Sequence, residues 1–512
     1  MNHRQTRLRR ILLAVTTAAL VAPLAACATT ATTAGDAGGD EAIYRIPISD
    51  PGAEIDPLTV ADYNGMLIAG LASEGLISLD AGGELIPRLA TEWHASEDGL
   101  TWTIELREGA VFNDGEPVTA DDVVSTFETI TADDSVSPGK SSFDGILDTI
   151  TTVDEGTVEF GLARPFSDFP RLLTGANTSI LPAGYVAGDW LENPIGAGQF
   201  LLEDYTVGEA ATFVKNPDYW NADEILVDGV ELKVYADEQA KVLAFQAGEL
   251  DRIAVTSDVI ASLDASKYDT ISSGYNKFDG IFLNHEAAPF DDPTVREALA
   301  WAIDRAALVD DVYSGNADVA NDVLYFPDYP IQPEGIEQRE QDLDRVAELL
   351  DGRTVQFAIT TDNQLFGEVL QQQLNAVEGF EVELDLLTSE QYYADGDETP
   401  WLNAPLTVTN WAPRTPSQYI GLIFADGAAW NASHYANPAI EAASEAFDAS
   451  TDEAERQARV DEIAGIQWSD LAVIVPTFTK AEVLQNPRVH GEFAGALDFY
   501  TGVSFAGVSI GD

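Results

Sequence analysis

Residues of the types that perform covalent catalysis are present, but their spacing argues against an active site. Gly507 to Gly511 reads GVSIG, the spacing of a serine nucleophile between a strand and a helix. In the fold that uses this motif the catalytic histidine follows the serine, and here only Asp512 follows. Acidic residues are so numerous that no pair of carboxylates can be singled out as an acid and a base. We therefore predict that the protein is not an enzyme and assign no catalytic residue.

Potential metal ligands do not cluster either. The histidines are His3, His94, His285, His434 and His490. A zinc site needs about four ligands, and the chain has no HExxH pair and no second cysteine. We therefore predict no metal and no cofactor. Either His285 or His434 could touch a ligand, because both fall near an expected cleft, but a surface or core position is the alternative.

A group of aromatic, amide and guanidinium side chains is better suited to binding. Asn410, Trp411, Arg414 and Trp430 lie in a stretch that is interrupted by proline and glycine. On loops, ring faces can cover the apolar part of a solute while amide and guanidinium groups hold its polar ends. We take these four residues as candidate ligand contacts. The alternative is that the tryptophans pack in a core.

The charge balance excludes nucleic acid as a partner. The 512-residue chain has 26 Lys and Arg against 87 Asp and Glu, a formal net charge of -61. Such a charge repels phosphate backbones wherever salt does not screen it. Two explanations of the acidity stay open: a surface adapted to solubility or salt, and attraction of a cationic solute.

The N-terminal segment predicts export and a lipid anchor. A basic start precedes an apolar stretch, 11–23, that is too short to span a bilayer. LAAC at 24–27 then resembles a bacterial lipobox, in which Cys27 is lipidated and becomes the new N-terminus. We expect a signal peptide over 1–26, a lipidated Cys27 with a flexible tether over 27–42, and a body on the outer face of the cytoplasmic membrane. An ordinary signal peptide with an incidental cysteine is the alternative, and the choice between general secretory and twin-arginine export stays open.

Elements that position these residues can be read from local patterns. The chain exceeds the roughly 250 to 300 residues that one hydrophobic core supports, which predicts two or three domains. Leu100, Trp102, Ile104 and Leu106 alternate with polar residues after an Asp-Gly turn, which predicts a half-buried strand in a hairpin. A second Asn-Asp-Gly turn at 113–115 follows that strand.

Three helices are predicted by their starting residues. Thr119 with an acid three positions later resembles a capping box. Asp292 precedes a proline and an apolar pattern that fits a helix ending near Asp304. Ser450 with Glu453 predicts a third helix, which leads into a buried strand at 471–475. Interleaved strands and helices of this kind indicate the α/β class.

Longer stretches of the sequence resemble a known family. They are EGLI at 74–77, LATEW at 89–93, SEDGLTW at 96–102, LREGAVFNDGEP at 106–117, NPIGAG at 193–198, KNPDYW at 215–220, FQAGELD at 245–251 and DDPTVREALAWAIDR at 291–305. In this order they resemble the extracytoplasmic solute-binding proteins of family 5, which include dipeptide-, oligopeptide- and nickel-binding proteins of ABC importers. The resemblance covers nearly the whole chain after the tether.

The resemblance implies a fold and a domain order. The fold would be of the type II periplasmic-binding kind (cluster C), in which two lobes close about a hinge around the solute and an extra domain is added. By analogy, lobe I joins 43–80, 196–285 and 485–512. The extra domain covers 81–195, and lobe II covers 286–484. The family also implies a monomer that hands its solute to the permease subunits of an ABC importer.

One departure from the family bears on the solute. The family loop that corresponds to 411 onward contributes to the pocket, and several peptide-binding members carry an aspartate there that pairs with the peptide amino terminus. This sequence reads WAPRTPS at 411–417, with Arg414 in place of the acid. A guanidinium suits a carboxylate or another acceptor-rich group, while pairing of Arg414 with a surface acid is the alternative. Asn284 and Tyr63 are further candidate contacts.

The sequence therefore predicts a lipid-anchored protein that binds a peptide or a similarly sized solute and delivers it to an importer. Oligosaccharides, opines and chelated nickel are other solutes bound within the family, and the scarcity of histidine disfavours nickel. A solute-sensing surface lipoprotein without transport is one alternative. A secreted hydrolase is another, but it would need a convergent nucleophile and base or a metal site.

Overall fold

The structure is a computed structural model that describes residues 41–80, 83–188, 190–254, 263–394, 399–425, 427–491 and 503–511. The expected signal peptide, Cys27 and nearly all of the tether lie outside the described residues. Within these ranges, no helix has both the length and the apolar character needed to cross a membrane.

The first part of the chain builds a small antiparallel sheet with helices. Its elements are β1 (Ile43–Ile48), α1 (Tyr63–Ala72), β2 (Ile77–Leu79), β3 (Leu85–Pro87), β4 (Ala90–Ala95), β5 (Thr101–Leu106), α2 (Ala120–Thr131), α3 (Lys140–Phe143), β6 (Leu147–Asp154), β7 (Thr157–Leu162) and α4 (Phe169–Leu172). The sheet has the strand order β4-β5-β7-β6. The predicted hairpin strand is β5, in which Trp102, Ile104 and Leu106 are buried. The predicted capping box starts α2, because Thr119 N donates to Asp122 Oδ2 at 2.7 Å.

A second sheet returns to the start of the chain. The next elements are β8 (Phe200–Thr206), β9 (Ala210–Lys215), β10 (Gly229–Val234), α5 (Glu238–Gln246), β11 (Arg252–Ala254) and β12 (Asp269–Leu283). The strand order is β1-β10-β9-β8, and β1 runs parallel to β10. One apolar core joins residues of both sheets, from Tyr44 to Leu232, with residues from Val489 to Val508. We call this part, the described residues within 43–234, 489–491 and 503–510, the first body.

Most of the remaining elements form a larger sheet covered by helices, and the last two strands form a separate two-stranded sheet. They are α6 (Pro293–Ala302), α7 (Arg305–Tyr313), β13 (Ala317–Val319), α8 (Leu343–Leu350), β14 (Val355–Thr361), α9 (Gln364–Asn375), β15 (Phe380–Leu386), α10 (Ser389–Tyr392), α11 (Pro400–Asn403), β16 (Leu406–Trp411), α12 (Pro416–Tyr419), α13 (Pro438–Asp448), α14 (Glu453–Asp470), β17 (Val473–Ile474), β18 (Thr477–Gln485), β19 (Val489–His490) and β20 (Ser509–Ile510). The strand order is β11-β18-β12-β16-β14-β15.

Both faces of this larger sheet are buried. Ile281 and Leu283 of β12 belong to one apolar core, and Phe278 and Phe282 belong to another. Because side chains alternate between the faces of a strand, the two cores lie on opposite faces of the sheet. We call residues 278–478 the second body.

The helix predictions need two corrections, one for a missed helix and one for a helix start. The helix that begins after Asp292 ends at Ala302, as expected, but Asp304 then caps a further helix, α7, which the sequence reading missed. The cap of α14 is Asp452, which accepts from Glu455 N, so the predicted start at Ser450 was wrong by two residues. The buried strand predicted at 471–475 is reduced to β17, because Leu471 adopts φ 54° where α14 ends.

Two antiparallel strands, β12 and β18, carry the chain between the bodies. Their pairing begins at Asp269 with Gln485 and reaches Phe278 with Phe478 in the second body. The register shifts once before Tyr275 and once after it, and Gly274 adopts a positive φ of 84°. A bulge that needs glycine is a natural place for a strand pair to bend. β12 ends at Leu283, two residues before the predicted lobe boundary at 285–286, and that boundary stays a prediction.

Candidate ligand-binding site

The site lies where the central strands of the second body end. β14 and β16 are parallel neighbours, so their carboxyl ends meet at one edge of the sheet. Trp411, the last residue of β16, pairs with Phe278, and the part of β12 before Phe278 leads to the first body. In open α/β sheets, ligands bind outside the carboxyl ends of the strands. This edge therefore combines a usual binding position with the strands that link the two bodies.

Trp411 anchors the site in the core. Its side chain is only 4% exposed and packs against Phe282, with ring centroids 5.8 Å apart, and against Tyr419 at 6.2 Å. Its Nε1 is buried and has no hydrogen-bond partner among the described residues. Trp411 is therefore a core residue, which was the alternative to a binding role, and it supports the two side chains that lie on it, Arg414 and Trp430.

Arg414 lies over two tryptophan rings. Its guanidinium carbon is 5.5 Å from the ring centroid of Trp411 and 5.6 Å from that of Trp430. Nη1 donates to the carbonyl oxygen of Ala412 at 3.2 Å. No described carboxylate forms an ion pair with this guanidinium, although acids outnumber bases severalfold in the chain. Its remaining donors are held in place by aromatic faces and are suited to an external acceptor.

The segment that carries Arg414 is held by its own hydrogen bonds. We call residues 411–419 the Trp411 loop. Thr415 N donates to Gln418 Oε1 at 3.0 Å in a capping box that starts α12. Tyr419 OH donates to the same Ala412 carbonyl at 2.7 Å. These bonds fix the backbone on both sides of Arg414.

Trp430 is the exposed ring of the site. It is 39% exposed, and its ring centroid lies 5.6 Å from that of Trp411. Its backbone N donates at 3.1 Å to Leu422 O in a π-helical turn, Ile420–Phe424, that follows α12. Such turns occur often at functional sites. A half-exposed ring beside a guanidinium can cover the apolar part of a bound solute.

At the same strand ends, but on the opposite face of the sheet, lie polar groups that the sequence reading missed. Asp279 on β12 pairs in register with the exposed Asn410 on β16. Its buried carboxylate accepts from Tyr313 OH at 2.6 Å, from Asn363 Nδ2 at 3.3 Å and from Lys277 Nζ at 3.2 Å. Burial, together with the nearby Asp279 charge, raises the pKa of Tyr313. Asn363 follows β14, and a polar residue just after a buried parallel strand was the signal that could have identified it.

Two sequence candidates lie elsewhere. Asn284 is at the other end of β12, where its N donates to Pro405 O at 2.9 Å and its Oδ1 accepts from Glu286 N at 2.9 Å. At about 3.3 Å per residue this places it roughly 20 Å from the Trp411 end of the sheet. Tyr63 is 48% exposed at the start of α1, in the first body, and lies near the Arg252 guanidinium. The structure thus brings Arg414 and the two tryptophans together, leaves Asn284 apart, and places Asn410 beside Trp411 in β16 with its side chain on the opposite face of the sheet.

The two histidines considered as contacts also lie at the far end of the sheet. The ring of His285 packs against Tyr435 with centroids 4.9 Å apart. Burial, with a smaller effect from Arg296, lowers the pKa of His285 to about 4. His434 Nε2 is 2.9 Å from Leu402 O. Both positions fit the surface or core alternative.

Two catalytic arrangements considered from the sequence, a serine nucleophile elbow and a metal site, are not found among the described residues. Ser509 of the GVSIG segment lies in β20, which pairs with β19, and does not precede a helix as a nucleophile elbow would. Among the described residues, no three His, Cys, Asp or Glu side chains are grouped to hold a metal ion. What the geometry supplies is an aromatic surface with a guanidinium beside it, which together suit reversible binding.

Comparison with known families identifies the chain. The family model for bacterial extracellular solute-binding proteins, family 5 (middle part), matches residues 84–432. The chain belongs to this family. Among curated relatives, this family 5 protein is 31% identical over 352 residues to Protein XP55 of Streptomyces lividans, a match that covers 66% of the chain and 62% of the relative. It is 30% identical over 278 residues to di/tripeptide-binding protein 1 of Pseudomonas aeruginosa, covering 48% and 51%.

The matches to these two relatives thus cover about half to three fifths of their length. The fold itself is matched over a longer range. The ABC transporter substrate-binding protein CtaP of Listeria monocytogenes superposes with a TM-score of 0.80 and 22% identity, covering 92% of this chain and 100% of CtaP. The family 5 protein therefore has the α/β fold of the type II periplasmic-binding class, as the sequence predicted.

Proposed function

We propose that this family 5 protein is the extracytoplasmic substrate-binding component of an ABC importer and that it captures a peptide or similarly sized solute without catalysis. The observation that carries the proposal is the Trp411, Arg414 and Trp430 group at the strand ends, beside the strands that link the two bodies. The importer role is supported by the likeness to CtaP, and the peptide class by the di/tripeptide-binding relative.

The bound solute presents a carboxylate or another acceptor-rich group to Arg414. The guanidinium is planar and carries five N–H donors; within the protein it donates to Ala412 O and also interacts with the Tyr419 hydroxyl, which leaves further donors for a solute. Contact with two rings restricts the movement of the guanidinium, which reduces the entropy lost when an acceptor binds. Trp430 then covers the adjoining apolar part of the solute.

Binding is read out as a change in the arrangement of the two bodies. A solute that contacts both bodies has a higher affinity for the closed arrangement, and it shifts the population by that difference alone. β12 and β18, with their bulge at Gly274, are the segment that would bend. The permease subunits would then recognise the closed form.

The lipid anchor at Cys27 belongs to the same proposal. Stable attachment requires more than one acyl chain, which a lipidated N-terminal cysteine provides. Replacement of Cys27 by Ser should release the protein from the membrane fraction, and the mass of the wild-type N-terminal peptide should show the lipid. Static light scattering of the released protein tests the expected monomer.

A thermal-unfolding screen of the Cys27→Ser protein tests the binding class. The panel contains di- to hexapeptides, oligosaccharides, opines and a nickel chelate, because a ligand at about 100 times its Kd stabilises the folded state by about 2.7 kcal/mol. A shift with peptides supports the full proposal. A shift with sugars or opines alone replaces the solute class, and no shift with any of them argues against the binding role.

A further inference from the structure

Among the described residues, the two bodies also contact each other away from the linking strands. Gly83 closely approaches the Asp328 carbonyl, and Arg171 lies over the Tyr329 ring at 5.5 Å, but the hydrogen bonds are confined to one segment. Between described residues, every hydrogen bond that joins the first body to the second away from β12 and β18 involves residues 164–168, the segment after β7. We call this segment the clasp. Its partners in the second body lie at the end of α13, in α14 and at Tyr329.

The clasp makes both backbone and side-chain bonds. Ser167 N donates to Asp448 O at 2.8 Å, and Ser167 Oγ donates to Phe447 O at 3.3 Å. Arg164 Nη1 donates to Asp448 Oδ2 at 2.8 Å. At the other end of the clasp, Asp168 accepts from Tyr329 OH at 2.7 Å and forms an ion pair with Arg456.

Asp448 also bonds to the Trp411 loop. Its Oδ1 accepts from Ser417 Oγ at 2.5 Å, and Ser417 lies three positions after Arg414 on the same loop. One carboxylate therefore holds the loop with one oxygen and the first body with the other. Its side chain is 3% exposed, and a buried charge needs each of its partners.

Burial raises the pKa of Asp448 to about 6, while the bonds from Ser417 and Arg164 act in the opposite direction. The carboxylate is thus costly to keep charged. Loss of either donor, Arg164 or Ser417, leaves the buried charge of Asp448 with fewer hydrogen bonds. The contact with the first body and the contact with the loop therefore depend on each other.

We infer that Asp448 is a positioning residue that couples the Trp411 loop to the approach of the first body. This inference rests on the proposed function for its biological meaning, because the loop carries the proposed ligand contact. When the bodies are close, Arg164 and Ser167 hold Asp448, and Asp448 holds Ser417 and the loop. When the loop moves, the same carboxylate loses its alignment with the clasp.

The experiment measures the distance between the bodies in the ligand-free full chain carrying Cys27→Ser. Spin labels are placed at two exposed positions, Val186 in the first body and Leu365 in the second, after replacement by cysteine. Arg164→Met removes the hydrogen-bond partner that the first body gives to Asp448, and Ser417→Ala removes the partner that the Trp411 loop gives to Asp448. Arg459→Met is the control, since Arg459 is similarly exposed and pairs only with Glu462 on its own helix.

Arg164→Met and Ser417→Ala are each expected to broaden or lengthen the label-to-label distance distribution, and the double variant should add little to either. Such non-additivity arises because both act through one carboxylate. Arg164→Lys, which keeps the charge, should restore most of the wild-type distribution, and Arg459→Met should leave it unchanged. A merely structural role of Ser417 would alter unfolding without altering this distance.

The inference is overturned if Ser417→Ala leaves the distances at their wild-type values, or if the two variants add fully. Addition of trialanine as a probe separates this result from the proposed function. If the distances respond to the variants but neither trialanine nor any other solute binds, the proposed function fails and the coupling stands. If a solute binds and shortens the distance equally in wild type, Arg164→Met and Ser417→Ala, only the coupling fails.

Discussion

Trp220 Nε1 donates to the carboxylate of Glu74 at 2.7 Å, although 146 residues separate the two. The same buried carboxylate accepts from Tyr219 OH at 3.1 Å and lies 3.5 Å from Arg88. The guanidinium of Arg107 lies 3.7 Å from the centroid of the Trp220 ring. Three of the stretches that carry the family resemblance, at 74–77, 106–117 and 215–220, therefore meet around one buried charge.

This arrangement predicts that Glu74→Gln destabilises the protein. Glutamine keeps the size of the side chain but leaves Arg88 without its charged partner, and breaking a buried pair typically costs about 3 to 5 kcal/mol. Because burial raises the pKa of Glu74, the carboxylate is itself costly to bury, and we expect about 3 kcal/mol in urea unfolding. Glu297→Gln, which removes an exposed pair with Arg345, should change the unfolding free energy by less than about 0.5 kcal/mol. Equal effects of the two substitutions would be inconsistent with this role.

The two tryptophans of the site should respond differently to truncation. Trp411→Ala removes a buried ring and is expected to cost about 3 to 5 kcal/mol of unfolding free energy. Trp430→Ala removes a half-exposed ring, so its effect on unfolding should be small while the affinity for the solute falls. Urea unfolding and calorimetric titration on both variants check this. Unchanged affinity in Trp430→Ala would place this ring outside the binding surface.

His285 should make the protein sensitive to acid. Its pKa falls to about 4 in the folded state, against about 6.5 in an unfolded chain. The stability that the neutral imidazole contributes is therefore complete above about pH 6.5 and is lost as the pH falls toward 4. His285→Gln should lose less stability than the wild type between pH 7.5 and pH 4.5 in urea unfolding. The exposed His94→Gln is the matched control and should follow the wild type.

Asp448 should show the opposite dependence on pH. Its pKa is raised to about 6, so its favourable contribution is present below about pH 4 and declines as the pH rises through 6. The stability of the wild type relative to Asp448→Asn should therefore fall between pH 4.5 and pH 8. Comparison with the variant removes the background from the many surface carboxylates. A constant difference across this range would show that the carboxyl is not buried as described.

Local signals in the sequence predicted where several helices and strands begin. The features that depend on contacts between distant residues could not be predicted in this way. Two helix starts were predicted correctly from neighbouring residues. One is the pair Thr119 and Asp122, and the other is Asp292 followed by a proline. Ser450 and Asp452 are both good caps two residues apart, and local chemistry cannot choose between them. Ser450 Oγ instead donates to Glu455 Oε2 at 2.8 Å.

The site was predictable where its residues are close in sequence. The Trp411 loop and Trp430 form one such stretch, and the structure keeps them together. Asp279 and Asn363 meet only through the register of the sheet, with 84 residues between them, and Arg164 and Asp448 are 284 residues apart. No periodicity or cap encodes such contacts. For the same reason Asn284, which is near the expected cleft by analogy, lies at the opposite end of β12.

The central claim is that Arg414 holds an acceptor-rich group of a captured solute, and calorimetric titration tests it most directly. The peptide with the largest thermal shift is titrated as the free acid and as the C-terminal amide into wild type and Arg414→Gln. The account predicts that wild type binds the acid about tenfold or more tightly than the amide, as for a hydrogen bond to a charged group, and that Arg414→Gln binds both weakly. Equal affinities of wild type and Arg414→Gln for the free acid would contradict it.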